Sequence, residues 1–175
     1  IKTLAAIVKV SSISDTMTLQ QPTKVTIEID TEGEDINALE GTILLPKEAL
    51  FLQQITEKNS LVNYWIESPR LSDNVISFSG IIPNGYNKHD GVVFSLIVQP
   101  LNLSKDKIDL SDVHIFLNDG KATETKVTLV NYQFQVRQSD INNQANLDYA
   151  RDTTRPEPFN PTVIKQDILA KNKSV

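Results

Sequence analysis

The chain has 175 residues, of which 39% are hydrophobic and 22% are charged, a composition typical of a globular protein. The formal net charge is −5, and no basic cluster of the kind that binds phosphates occurs, which argues against nucleic-acid binding. The sequence contains no cysteine and no apolar run near the roughly 18 residues of a membrane span. Neither a disulfide scaffold nor membrane insertion by this segment is therefore expected.

Alternating apolar and polar residues predict β-strands in the first half of the chain. In Thr23–Asp30, valine or isoleucine occupies every second position from residue 25, so one face of the strand is buried and the other is solvated. Further strands are predicted at residues 36–45, 50–55, 61–67 and 75–80, separated by proline, glycine or asparagine. Gly41 predicts a bulge or a close backbone approach, and Pro69 predicts a strand end.

The second half of the chain continues the β pattern. Residues 83–91 predict a long polar loop, and residues 92–99 predict a central strand buried on both faces. A strand at 115–117 leads into a turn at 118–120, and residues 125–136 predict a closing strand. No helical period is sustained before residue 138, so the sequence predicts an all-β sandwich.

Three segments are expected from the change of composition near the C-terminus. Residues 1–137 form the sandwich, residues 138–161 form a polar and proline-rich linker, and residues 162–175 begin a following, truncated domain. Prolines at 156, 158 and 161 favour an extended tail. Because the sequence begins at Ile1 rather than Met, we also expect an exported protein whose leader has been removed.

Five short motifs resemble the cohesin-like modules of bacterial surface and scaffold proteins, whose superfamily includes cellulose-binding modules. They are NALEG at 37–41, VNYWIE at 62–67, ISFSG at 76–80, IPNG at 82–85 and LNDG at 117–120. The resemblance runs from about residue 5 to residue 136. It implies a nine-stranded jelly-roll β-sandwich.

The resemblance also implies a non-catalytic binding or scaffolding module of a cell-surface or secreted multidomain protein. Its expected partner is a dockerin-like protein, which would supply its own calcium, or a neighbouring surface domain. Two alternatives remain open, because one sandwich fold serves many roles. They are polysaccharide binding and a structural spacer in a surface appendage or layer.

Two groups of residues are candidate sites. Four carboxylates in the loop after the first clear strand could hold Ca²⁺, although without a fixed ligand spacing; they are Asp30, Glu32, Glu34 and Asp35. The alternative is a solvated acidic loop. A second acidic group, at residues 109–119, is better explained by turns.

Aromatic residues suggest a partner-binding surface. Trp65 shares one strand face with Asn63, and Tyr64 shares the other with Val62 and Ile66. If Tyr64 points inward, Trp65 lies outside with Asn63 and could anchor a partner, together with Tyr86 in the predicted loop. The alternative is that Trp65 packs in the core or at its rim.

Enzyme chemistry has little support in the sequence. The ISFSG motif lacks the first glycine of a hydrolase nucleophile elbow and lies in a predicted strand. Only two histidines occur, and no phosphate-binding glycine loop is present. The sequence therefore favours a binding module over a catalyst.

Overall fold

The computed structural model describes residues 5–139, which form eleven β-strands. In chain order they are β1 (Ala6–Ser12), β2 (Thr16–Thr18), β3 (Thr23–Asp30), β4 (Ile36–Leu44), β5 (Leu50–Thr56), β6 (Tyr64–Ser72), β7 (Val75–Tyr86), β8 (Gly91–Pro100), β9 (Lys105–Leu117), β10 (Val127–Val130) and β11 (Tyr132–Arg137). The described residues contain no helix long and apolar enough to cross a membrane.

The strands form two sheets. One has five strands in the order β10-β1-β3-β8-β5, and the other has six in the order β2-β11-β9-β4-β7-β6. Neighbouring strands are antiparallel, except that β1 pairs with β10 and β11 pairs with β2 in parallel over only a few residues. The all-β sandwich predicted from the sequence is confirmed, with eleven strands instead of nine because β2 and β10 are separate strands of only three and four residues.

The core lies between the two sheets and is built from the inward positions of nearly every strand. Phe78 of β7 meets Phe94 of β8 edge to face, with ring centroids 5.1 Å apart, so these two rings join the six-stranded sheet to the five-stranded one. Both rings are at most 2% exposed. The alternation predicted for Thr23–Asp30 is confirmed, since Val25, Ile27 and Ile29 are fully buried.

Glycine 41 lies where two backbones approach closely, as its place in a strand predicted. Asp112 and Val113 of β9 together oppose Gly41, since the register shifts between the pairs Glu40–His114 and Thr42–Ser111. A Cβ atom at Gly41 would lie 2.9 Å from Cγ2 of Val113 and 3.0 Å from Cζ of Phe78. The bulge itself belongs to β9, where Asp112 has a φ of 50°.

Several predicted strand limits were wrong. Strand β6 continues through Pro69, which is tolerated because β6 is an edge strand and its register shifts between Glu67 and Arg70. Strand β7 continues to Tyr86, so the predicted loop 83–91 shrinks to residues 87–90. The predicted strand 115–117 is the end of the thirteen-residue β9.

The predicted closing strand 125–136 is two strands that belong to different sheets. They separate at Asn131, whose Oδ1 accepts a hydrogen bond from the Leu110 backbone at 2.9 Å. Val130, at the end of β10, is 44% exposed, whereas Tyr132, at the start of β11, is 8% exposed. Strand β11 ends at Arg137, and the predicted linker after residue 139 and the following domain lie outside the described residues.

Candidate functional site

The outer face of the six-stranded sheet carries a row of four apolar side chains across four strands. Cross-strand pairing places Tyr64 of β6 opposite Ile81 of β7, Ile81 opposite Ala38 of β4, and Ala38 opposite Phe116 of β9. Directly paired residues point to the same side of a sheet, so these four side chains share one surface, which we call the apolar row. Ile66 lies beside it.

The apolar row is open to solvent at the sheet edge. Tyr64 is 64% exposed and Ile66 is 66% exposed, whereas the inward neighbours Ile82 and Ile115 are at most 3% exposed. The other members of the row, Ile81, Ala38 and Phe116, are half-buried. Apolar side chains that stay this exposed on an ordered sheet mark a surface suited to docking a partner.

Polar rows flank the apolar row. The next row across the sheet contains Glu67, Ser79, Glu40 and His114, and the row after it contains Arg70, Ser77, Thr42 and Ser111. His114 Nδ1 lies 2.6 Å from Glu124 Oε1, and this hydrogen bond raises the pKa of His114. The face therefore combines an apolar row with polar and charged rows on one side of it, a mixture that is common in protein interfaces.

Trp65 points into the sandwich, opposite to the orientation that a partner anchor requires. Its ring meets Phe94 edge to face with centroids 6.2 Å apart, and it packs against the buried core. The residue paired with Trp65 across the strands is Gly80, where a Cβ atom would lie 3.1 Å from the indole. The missing side chain of Gly80 gives the indole its space, so Tyr64, not Trp65, faces outward.

Asn63 and Tyr86, the other two predicted partner-binding residues, lie outside the apolar row. Asn63 is exposed just before β6, and its backbone N–H donates to the Ile81 carbonyl at 3.2 Å. Tyr86 packs partly against the core, and its hydroxyl donates to the His89 carbonyl at 2.8 Å. Burial raises the pKa of Tyr86. Neither residue lies in the apolar row, and their role in partner binding stays a prediction.

The four carboxylates predicted to hold calcium lie in one loop but have different partners. Asp30 Oδ1 lies 2.7 Å from His89 Nδ1 and also accepts the Glu32 N–H at 2.9 Å. Asp35 Oδ2 accepts from Asn118 at 2.9 Å, and Glu34 accepts from the Thr125 hydroxyl. Within residues 5–139 no group of three or more histidine or acidic side chains is arranged to hold a metal ion.

These hydrogen bonds give the acidic loop a structural role. The N–H of Glu32 and the ring of His89 lower the pKa of Asp30, which keeps it ionised, and Glu32 itself has a left-handed backbone with φ of 50°. The carboxylates tie the β3–β4 connection to strand ends and loops on both sheets. Calcium binding by these residues stays a prediction.

The outer face of the five-stranded sheet carries several polar side chains that hydrogen-bond to one another. Ser11 donates to Glu28 at 2.7 Å, Lys9 lies 3.5 Å from the same carboxylate, and Thr26 and Ser95 are hydrogen-bonded at 3.2 Å. The exposed apolar residues Phe51 and Val130 of this sheet lie on its two opposite edge strands, β5 and β10, and do not form a row across it. The six-stranded sheet therefore carries the better candidate surface.

Sequence reasoning did not identify the apolar row. It recognised that Tyr64 and Trp65 point to opposite faces, but both orientations remained open. The available signal was Gly80, because a glycine opposite an aromatic residue makes room for a ring on that face. Recognising it requires the strand register, and two irregularities in the β6–β7 pairing obscure that register.

Comparison with known proteins supports the fold through structure, not through sequence. No protein-family model and no curated protein matches the sequence. Among solved structures, a non-cellulosomal cohesin from the archaeon Archaeoglobus fulgidus is similar, with a TM-score of 0.64 and 16% identity over 85% of this chain and 99% of that one.

Two bacterial cohesins give comparable matches. The cohesin module of a family 33 glycoside hydrolase from Clostridium perfringens has a TM-score of 0.63 and 13% identity, covering 78% of this chain and 100% of that one. The sixth cohesin of scaffoldin B from Acetivibrio cellulolyticus, solved in complex with a dockerin, has a TM-score of 0.61 and 11% identity, covering 76% of this chain and 99% of that one. The described part of this chain is a cohesin-like β-sandwich.

Proposed function

We propose that the chain is a non-catalytic protein-recognition module that binds its partner through the outer face of β6, β7, β4 and β9. The observation that carries this proposal is the apolar row, with Tyr64 and its neighbour Ile66 about two-thirds exposed at 64% and 66%. A rigid four-strand platform holds the row, so binding orders little additional backbone.

Tyr64 is the expected centre of the binding energy. Tyrosine is enriched among interface hot spots because its ring buries a large area with few rotatable bonds and its hydroxyl can hydrogen-bond at the rim. Ile66 and Ile81 extend the apolar contact to either side of it. The serines of β7 and the acidic residues of the next row supply hydrogen bonds around this centre.

The proposed partner is dockerin-like. The Acetivibrio cellulolyticus cohesin similar to this chain is in complex with a dockerin, and a complex of the same kind is found with a type I cohesin from Clostridium thermocellum. Calcium would be carried by the partner. We further propose that the module belongs to an exported, multidomain cell-surface or secreted protein, in line with its resemblance to cohesins.

Polysaccharide binding, the alternative drawn from the superfamily, has a weaker basis in the structure. A sugar platform needs adjacent exposed rings, but Trp65 packs inward. The outer face carries the rings of Tyr64 and Phe116, which lie three strand spacings or about 14 Å apart with aliphatic residues between them. A spacer role is the outcome expected if the face binds nothing.

The test is calorimetric titration of the whole chain with dockerins encoded by the same organism, in the presence of calcium. At least one dockerin should bind, and Tyr64→Ala should weaken that binding at least about tenfold, which corresponds to about 1.4 kcal/mol. Chelation of calcium should abolish the interaction because the proposed partner carries the calcium and depends on it for its folded binding surface.

Phe51→Ala is the matched control. Phe51 is 56% exposed but lies on β5, at the edge of the other sheet, so its removal should leave affinity unchanged. Equal losses for Tyr64→Ala and Phe51→Ala would overturn the proposed surface. Failure of every dockerin to bind, combined with retention on insoluble polysaccharide, would favour the carbohydrate-binding alternative.

A further inference from the structure

A shallow groove of about 520 Å³ lies at the opposite end of the six-stranded sheet from the apolar row. It runs along β11, between the start of β9 and the short edge strand β2, and we call it the β11 groove. Its lining includes Gln133, Gln135 and Arg137 of β11, Lys105 and Lys107 of β9, and Thr16 of β2. It is separate from the surface assigned above to the proposed function.

The lining of the β11 groove has a small excess of positive charge in a protein whose formal net charge is −5. Lys107 is paired with Asp109 at 2.9 Å. Within residues 5–139, however, neither Lys105 nor Arg137 forms an ion pair, and Arg137 Nη2 donates only to the neutral Gln135 at 3.3 Å. As far as the described residues are concerned, these two exposed cations are therefore available to a ligand.

Two aspartates are also part of the lining, so three cations stand against two carboxylates. Asp106 lies between the two lysines of β9, so strand alternation directs its side chain to the other side of the sheet, and its carboxylate accepts the Lys107 N–H at 2.8 Å. Asp15 lies just before β2, where its carboxylate accepts a hydrogen bond from the Thr16 hydroxyl at 3.3 Å.

Strand register gives the groove a regular repeat. Gln133 pairs with Lys107, Gln135 pairs with Lys105, and Arg137 is the next residue of β11 on the same face. Cationic side chains therefore stand in successive rows about 6.8 Å apart, twice the rise of one strand residue. An extended peptide repeats its side chains on one face with the same spacing, and its backbone amides match the glutamine side chains between the cations.

We propose that the β11 groove binds an extended acidic peptide segment with carboxylate side chains at alternate positions. The carboxylates would meet Lys105 and Arg137 in successive rows, beside Lys107, which is already paired with Asp109, and the two glutamines would hydrogen-bond the peptide backbone. A polysaccharide suits the groove less well because the aromatic ring in its lining, Phe134, is only 4% exposed and stacks on Tyr132.

The proposed peptide does not pair with the backbone of the edge strand β2, which lies beside the groove. The Thr16 N–H already donates to the Ser14 hydroxyl at 3.0 Å, and the Thr18 carbonyl accepts a hydrogen bond from the Gln21 N–H at 3.1 Å. These local bonds cap β2 and disfavour addition of a further strand there. Recognition in the groove therefore depends on side chains above the sheet.

Fluorescence anisotropy with labelled peptides tests the proposal on the whole chain. The probes are an eight-residue Glu-Ser alternating peptide, a peptide of the same composition in Glu-Glu-Ser-Ser blocks, and a Lys-Ser alternating peptide. The alternating acidic peptide should bind best, the Lys-Ser peptide should not bind, and affinity should fall as salt rises from about 50 to 200 mM. Equal affinity for the two acidic peptides would overturn the proposal.

A charge-matched pair of double variants locates the site. Lys105→Gln with Arg137→Gln should weaken the alternating acidic peptide about fivefold, as expected for two exposed charge contacts. Lys58→Gln with Lys88→Gln removes the same charge elsewhere on the surface and should leave affinity unchanged. Equal weakening by both variants, or tighter binding of polygalacturonate than of the acidic peptide, would overturn the proposal.

Discussion

Asn118 and Asp35 are joined by two hydrogen bonds that fasten the end of β9 to the start of β4. The Asn118 backbone N–H donates to the Asp35 carbonyl at 2.8 Å, and Asn118 Nδ2 donates to Asp35 Oδ2 at 2.9 Å. Gly85 of β7 lies against both side chains, and a Cβ atom there would be 2.6 Å from Asn118 Nδ2. Residue 85 is therefore glycine for two reasons: its positive φ of 72°, and the lack of space for a Cβ atom beside this contact.

Gly85→Ala should therefore destabilise the fold by more than its backbone conformation alone predicts. We expect a loss of about 2 to 4 kcal/mol, combining left-handed strain with a steric clash. Gly120→Ala is the control, because Gly120 has a similar φ of 68° but open space around it. It should cost about 1 kcal/mol. Urea unfolding measures both, and equal losses would contradict the role assigned to the Asp35–Asn118 contact.

Trp65 and Tyr64 should differ sharply in their contributions to stability. Trp65→Ala removes the ring that packs on Phe94 and Gly80, and it should cost about 3 kcal/mol of unfolding free energy. Tyr64→Ala removes a ring that is 64% exposed and should change stability by less than about 0.5 kcal/mol. Urea unfolding followed by circular dichroism compares the two variants. A larger loss for Tyr64→Ala would mean that the strand faces are reversed.

Much of the architecture could be predicted from alternation because burial on one face imposes a period of two. Strand β3 has the predicted limits, and the central β8 spans the predicted apolar run. The method failed where a strand has few apolar residues. The first residues of β9 are Lys105, Asp106 and Lys107, all exposed, so their sequence resembles a loop although they pair with β11.

The candidate surface was harder to predict than the fold because it depends on register. The apolar row draws one residue from each of four strands, and the pairings Tyr64–Ile81 and Ala38–Phe116 join residues far apart in sequence. No local pattern encodes such a row. In the acidic loop, clustering of carboxylates in sequence suggested a metal site, which stays a prediction, and the structure shows that their hydrogen bonds lead to separate partners.

The bulge in β9 places Asp112 in a backbone conformation that few other residues tolerate. Asp112 has a φ of 50°, a conformation accessible to aspartate and asparagine but costly for a β-branched residue. Asp112→Val should therefore lose about 1 to 2 kcal/mol, whereas Asp112→Asn should be nearly neutral. Ser111→Val, one residue earlier on the same exposed segment, is the matched control and should also be nearly neutral. Thermal unfolding distinguishes them, and a neutral Asp112→Val would contradict the left-handed geometry.

The ion pair between His89 and Asp30 predicts a pH dependence of stability. The hydrogen bond to Asp30, with Nδ1 and Oδ1 2.7 Å apart, raises the pKa of His89 above its ordinary value of 6.5. Lys9, Glu32 and Asp90 are the other charged groups near the pair. Because the folded pKa of His89 is raised, its contribution is fully present below 6.5 and is lost as pH rises through the folded value.

The lowered pKa of Asp30 acts at the other end of the pH range. Its contribution is present above the ordinary value of 3.8 and is lost as pH falls through the lowered folded value. The pair should therefore stabilise the fold most in mildly acidic solution. His89→Gln should lower the urea midpoint at about pH 6 but leave it unchanged at about pH 9, and the effect should be small because the His89 side chain is 68% exposed.

Proton NMR titration of the His89 ring tests the cause directly. The midpoint should lie above 6.5 in the original chain and move towards that value in Asp30→Ala, which removes the carboxylate. His114, whose partner is Glu124, provides an internal control in the same spectra, because its midpoint should not respond to Asp30→Ala. A His89 midpoint that stays in place after this substitution would show that Asp30 is not the cause of the raised pKa.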